Sequence, residues 1–130
     1  MEKTDAVIAL DALAQETRLD IFRYLVQLGS AGAPAGHIAQ ALGLPNATLS
    51  FHIKTLQHAG LVERKRQSRS LIYAANFAQM NSLLIYLTEN CCAGEADHCA
   101  TLCEHDRMHP TAAPAVVTNN GVEKAKRLRR

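Results

Sequence analysis

No run of apolar residues approaches the roughly 18 that a helix needs to span a bilayer, which argues against a helical membrane protein. The opening residues, Met1-Glu2-Lys3-Thr4-Asp5, also lack the basic-then-apolar layout of a secretion signal, so the expected location is the cytoplasm. Aromatic residues are scarce at 5%, and none follows Tyr86. From Arg107 onward Pro110, Pro114, Asn119, Asn120 and Gly121 interrupt every periodic pattern. Residues 107–130 therefore read as a disordered tail that ends in the basic patch Lys124, Lys126, Arg127, Arg129 and Arg130. A Cys-x-x-Cys redox motif is missing, because Cys99 and Cys103 stand one residue too far apart, and no nucleophile forms a recognisable pair with a base. An enzyme is not expected, and no internal repeat is visible.

What the chain does contain is enough for one domain: 130 residues, 48% of them hydrophobic, suit a single core of modest size. The formal net charge is only +2, but it is unevenly spread. Between Lys54 and Arg69 lie five basic residues and one acid, Glu63, whereas Glu89 to Asp106 holds five acids and neither Lys nor Arg.

Apolar spacing predicts a first helix carrying Val7, Ile8, Leu10, Leu13 and Ala14, with Asp5 as its cap. A second should occupy residues 16–28, because Leu19, Phe22, Leu25 and Val26 keep a 3-to-4 spacing and Gly29 follows as a stop. Residues 30–34 read as a loop. A short helix over 35–42, with Ile38, Ala39 and Leu42 inward, leads through the turn Gly43-Leu44-Pro45 into another that starts at Asn46 and ends before Gly60. After Gly60 the apolar period changes: 61–66 and 70–74 predict two strands joined by Gln67-Ser68-Arg69, a hairpin with a basic tip. The last helix carries Phe77, Met80, Leu84, Leu87 and Cys91 at alternating spacings of 3 and 4, a heptad-like seam suited to another helix. The fold class is thus mainly α with a small β-hairpin (α+β), in the pattern of a winged helix-turn-helix.

In the helix that begins at Asn46, the wheel turns Leu49, Ile53 and Leu56 to the core and leaves Ala47, Ser50, Phe51, Lys54 and His58 outward, flanked by Thr48 and Thr55. Such a face suits a major groove, where hydroxyls and Lys54 reach base edges or phosphates and Phe51 or Thr48 can meet thymine methyls. Arg64, Lys65, Arg66 and Arg69 then fall on the wing, near flanking phosphates. His52 lies beside the apolar stripe and serves either as a hydrogen-bonded structural residue or as a base contact. The bland alternative, a solvated helix followed by a charged hairpin, leaves the turn and wing together unexplained.

Ala12-Leu13-Ala14-Gln15-Glu16-Thr17-Arg18-Leu19-Asp20-Ile21 resembles the opening signature of the ArsR/SmtB family of metal-responsive repressors. His37-Ile38-Ala39-Gln40-Ala41-Leu42-Gly43-Leu44 and Thr48-Leu49-Ser50-Phe51-His52-Ile53-Lys54-Thr55-Leu56-Gln57-His58-Ala59-Gly60-Leu61-Val62 resemble its helix-turn-helix, with Phe51 where the family commonly has His. The resemblance covers residues 5–92. It implies a homodimer joined through the first and last helices, which binds double-stranded operator DNA without a cofactor and leaves it when an inducer binds.

All four cysteines, Cys91, Cys92, Cys99 and Cys103, fall within thirteen residues. In a reducing compartment such clustering favours a metal or redox site over a disulfide framework, and thiolates select soft partners. The family's Cys-x-Cys site in the helix before the turn is missing from residues 35–42, and its Asp/His zinc pair is missing from residues 76–90. The vicinal pair followed by Cys99 resembles the subgroup that binds arsenite or antimonite after the last helix. The expected inducer is therefore As(III) or Sb(III) on Cys91, Cys92 and Cys99, with Cys103 a possible replacement or fourth ligand. Two rivals remain: a zinc, cadmium or lead sensor using all four sulfurs, and a redox switch in which Cys99 or Cys103 forms a disulfide with one of the pair. Cys91 could instead pack in the core, and His98, His105 and His109 could join a zinc or nickel site or simply be solvated. This divides the chain into a DNA-binding and dimerisation domain (1–92), an inducer-binding segment (93–106) and the tail (107–130).

Overall fold

The computed structural model describes residues 1–94, and Met1–Tyr86 forms one compact unit. Its first helix, α1 (Lys3–Leu13), begins two residues before Asp5. Asp5 therefore lies in the first turn, where its charge complements the positive helix end, and Glu2 holds the cap position without a side-chain cap. The face α1 buries is not the one its large side chains suggest. Ala6, Ala9 and Ala12 are inward, whereas Val7, Ile8 and Leu10 are 57%, 47% and 42% exposed. Small side chains let α1 approach its neighbours α2 (Glu16–Leu28) and α4 (Asn46–His58) closely.

Helix α2 starts where the Gln15 side chain accepts the backbone N–H of Arg18 at 2.8 Å. The Arg18 Nε then donates to the Ala12 carbonyl at 2.6 Å, tying the end of α1 to the start of α2. Ile21, Phe22 and Leu25 are buried, while Leu19 is exposed.

Residues 30–34, expected as a loop, contain a strand. β1 (Ala33–Pro34) pairs antiparallel with β3 (Ser70–Ala75), Ala33 opposite Tyr73 and Pro34 opposite Ile72. β3 pairs in turn with β2 (Val62–Gln67), giving a three-stranded antiparallel sheet ordered β1-β3-β2. Pro34 is tolerated because β1 is an edge strand. Gly32 permits the approach: with φ +61, a Cβ there would lie 2.2 Å from the Tyr73 carbonyl oxygen.

α3 (Ala35–Leu42) is closed by Gly43 in the left-handed conformation, with the Leu44 N–H donating to the Ala39 carbonyl at 2.9 Å. Pro45 then occupies the cap position of α4. The core beneath these elements centres on Ile21, Leu25, Ile38, Leu49, Ile53, Leu56 and Leu61. Each such fully buried aliphatic side chain contributes about 1.5 to 3 kcal/mol of transfer free energy.

The turn that follows α4 is linked to α5 (Phe77–Thr88) through Asn76. The Asn76 amide Nδ2 donates to the Gly60 carbonyl at 3.0 Å, and its backbone N–H donates to the Leu61 carbonyl at 2.8 Å. Its Oδ1 accepts the Gln79 N–H at 3.2 Å, capping the first turn of α5. Helix α5 buries Leu83, with Phe77, Met80 and Tyr86 partly buried against the core, and leaves Leu84, Ile85 and Leu87 exposed.

Candidate nucleic-acid interface

α3, its glycine turn and α4 form a helix-turn-helix, and the β2-β3 hairpin follows directly as a wing. Burial of Leu49, Ile53 and Leu56 fixes the rotation of α4 about its axis. Ala47, Ser50, Phe51, Lys54 and His58 are all exposed as a result, with Thr48 and Thr55 half-buried at the flanks. Thr55 donates its hydroxyl to the Phe51 carbonyl at 3.4 Å, which occupies it within the helix. His52 is half-buried, its Nδ1 has no hydrogen-bond partner among the described residues, and its ring meets that of Phe51 edge-on at 5.4 Å. Burial, assisted by the charge of Arg18, holds the His52 pKa below its ordinary value.

The wing's cations divide into two sets. Side chains alternate along β2, so Arg64 and Arg66, opposite Tyr73 and Leu71, share one face, while Lys65, opposite buried Ile72, takes the other. Lys65 Nζ donates to the Ser30 carbonyl at 3.0 Å and lies 3.9 Å from Glu63, so it fastens the wing to the turn before β1. Arg69 is exposed at the hairpin tip beside Ser68, whose φ of 57° closes a two-residue turn. The basic composition of the hairpin did not distinguish the anchoring lysine from the arginines; only the pairing register does.

Cys91 and Cys92 lie after α5 rather than on it. The helix ends at Thr88, Asn90 has a φ of 59°, and Cys91–Gly94 forms a 3-10 turn in which Cys92 (φ 62°) and Ala93 (φ 47°) are also left-handed. Cys91 therefore does not continue the α5 seam at helical pitch. Both cysteines are half-buried. Cys99 and Cys103, the other two sulfurs of the expected site, lie outside the described residues, as do His98, His105, His109 and the tail. Among the described residues no three His, Cys, Asp or Glu side chains converge as a metal site.

Residues 13–65, spanning α2 to the middle of β2, match a family model described as a helix-turn-helix domain. The HTH-type transcriptional regulator NmtR of Mycobacterium tuberculosis (strain ATCC 25618 / H37Rv) is 33% identical over 91 residues, covering 68% of this chain and 73% of that protein. An ArsR-like transcriptional regulator from Rhodococcus sp. RHA1 superposes with a TM-score of 0.59 at 26% identity, covering 82% of this chain and 93% of its own. This chain belongs to the ArsR/SmtB family. A third relative, the homodimeric winged helix-turn-helix domain of Mb0332 from Mycobacterium bovis, has a TM-score of 0.53 at 26% identity over 67% of this chain and 81% of its own. As a member of the ArsR/SmtB family the protein is a transcriptional regulator that binds DNA, with α3 and α4 as its helix-turn-helix; its relatives are regulators rather than enzymes. Among the described residues no helix is long and apolar enough to cross a membrane.

Proposed function

We propose that this regulator is a homodimeric, cytoplasmic repressor that leaves its operator when As(III) or Sb(III) is held by the thiolates of Cys91, Cys92 and Cys99. The observation that carries this reading is the break in the backbone at the vicinal pair. On a continuous helix neighbouring residues point about 100° apart, which separates their sulfurs. Here the helix has stopped at Thr88, and left-handed residues at Asn90, Cys92 and Ala93 remove that constraint. Six residues separate Cys92 from Cys99, enough for the chain to fold back and bring in a third sulfur. Trivalent arsenic with three thiolates is neutral, which suits a position next to an apolar helix and near five acids better than the net negative charge of a divalent ion with three or four thiolates.

Dimerisation is supported by the exposed aliphatic faces of α1 (Val7, Ile8, Leu10) and α5 (Leu84, Ile85, Leu87), and by the homodimeric state of the Mb0332 domain. Gathering the sulfurs reorganises the end of α5, whose first turn is joined through Asn76 to the turn that follows α4. A displacement of α5 thereby acts on the placement of α4. A coupling of about 1 to 3 kcal/mol lowers operator affinity by roughly 5- to 150-fold.

The test is operator fluorescence anisotropy for the four single Cys→Ser variants, each titrated anaerobically with arsenite, zinc or a mild oxidant. Cys91→Ser, Cys92→Ser and Cys99→Ser should bind DNA normally and lose arsenite-induced release, because a hydroxyl is a poor substitute for thiolate; Cys103→Ser should respond nearly as the wild type does. Zinc-induced release that depends on Cys103 would instead assign a four-sulfur sensor, and release by oxidant alone a thiol switch.

A further inference from the structure

We propose that Phe51 is a specificity-determining residue that reads the 5-methyl group of thymine in the operator's major groove. The inference rests on α4 being the helix that enters that groove. Phe51 is 65% exposed, more than any other large hydrophobic side chain among the described residues, and it occupies the middle of the outward face. Ala47, four residues before it, adds no bulk beside the ring, and Lys54, three residues after it, supplies a phosphate-seeking charge on the same face. The core does not use the ring, because Leu49, Ile53 and Leu56 on the opposite side complete the packing. One edge of Phe51 meets the half-buried His52 ring at 5.4 Å, leaving the rest of the ring outward.

The occupant follows from what a phenyl ring can meet at base edges. In the major groove every base pair presents hydrogen-bond donors and acceptors, and the one apolar group among them is the C5-methyl of thymine. A phenyl ring placed over the N7, O6 or N6 of a purine would strip water from those groups and return no hydrogen bond. Over a thymine methyl it buries apolar surface on both partners. Thr48 offers a methyl of its own, but it is half-buried beside Leu49 and reaches less far outward than Phe51. The preference is therefore for thymine, and 5-methylcytosine, which carries the same methyl, should be favoured over cytosine at the same position.

The experiment uses the full-length chain and a duplex that the protein itself enriches from a randomised library. Each thymine is replaced singly by deoxyuridine, a change of one methyl group, and affinities are measured for wild type, Phe51→Ala and Phe51→Leu. One thymine per half-site should show a loss of roughly fourfold for the wild type, the worth of burying one methyl. Phe51→Ala should bind the thymine duplex more weakly and no longer distinguish it from the deoxyuridine duplex, while Phe51→Leu, with an apolar tip, should retain part of the preference. Wild-type affinity that is the same for every deoxyuridine duplex would overturn the proposal, as would an undiminished thymine preference in Phe51→Ala. The first result would also be the signature of a ring wedged between base pairs. Failure to enrich any duplex is a different outcome, and it removes the DNA-binding role of α4 itself.

Discussion

His52 follows Phe51 on the recognition helix, yet its ring is half-buried and its Nδ1 is buried without a hydrogen-bond partner among the described residues. Burial disfavours the imidazolium, and Arg18, fixed by its bond to the Ala12 carbonyl, adds repulsion in the same direction. The folded pKa is thus below the ordinary 6.5, which the unfolded chain retains. As pH falls below about 6.5 the unfolded chain takes up a proton that the folded one resists, so stability is full above that pH and declines below it. Urea midpoints at pH 7.5 and 5.5 should fall more for the wild type than for His52→Gln, which has no charge to gain. Equal declines in the two proteins would show that the ring titrates as freely when folded as when unfolded.

Among the elements, the wing shows how register assigns work to residues of the same charge. Arg64 and Arg66 share one face of β2, and Lys65 on the other face is already committed to the Ser30 carbonyl. Arg64→Ala and Arg66→Ala should each weaken operator binding and reduce the slope of log affinity against log salt by about one for each phosphate left without its arginine. Lys65→Ala should leave that slope nearly unchanged and loosen the wing instead, at less than about 1 kcal/mol for an exposed hydrogen bond. Salt titrations of the three variants check this; a slope change for Lys65→Ala as large as for the arginines would place its charge on the DNA.

At the scale of the whole molecule, α1 turns alanines inward and presents Val7, Ile8 and Leu10 to the outside. An amphipathic helix that keeps its larger side chains exposed calls for a second surface to cover them, and in the proposed homodimer that surface is the equivalent face of another copy. Ile8→Glu should therefore leave the protomer folded by circular dichroism while giving a monomer in sedimentation at micromolar concentration. Loss of the second attached half-site should then lower affinity for a two-half-site duplex by about a hundredfold or more. A variant that stays dimeric would move the interface away from α1.

Helix positions were legible in the sequence because their signals are local. Gly29 stops α2, Gly43 and Pro45 punctuate the turn, and the 3-to-4 spacing of Leu49, Ile53 and Leu56 alone was enough to set the outward face of α4, Phe51 included. The hairpin was legible for the same reason, from the change of apolar period after Gly60. The tertiary structure decided what depends on partners distant in the chain. β1 is two residues long and exists only because Gly32 lets it reach Tyr73 and Ile72 about forty residues on. Lys65 is an anchor only because Ser30 comes within reach, and Asn76 is a link only because Gly60 and Leu61 lie beside it. Periodicity found the larger apolar side of α1 without showing that alanines form its buried face, and it carried Cys91 along the α5 seam. It measures which side of a helix is apolar, whereas burial is decided by how closely two backbones can approach, and a helix's end by the dihedral angles its last residues adopt.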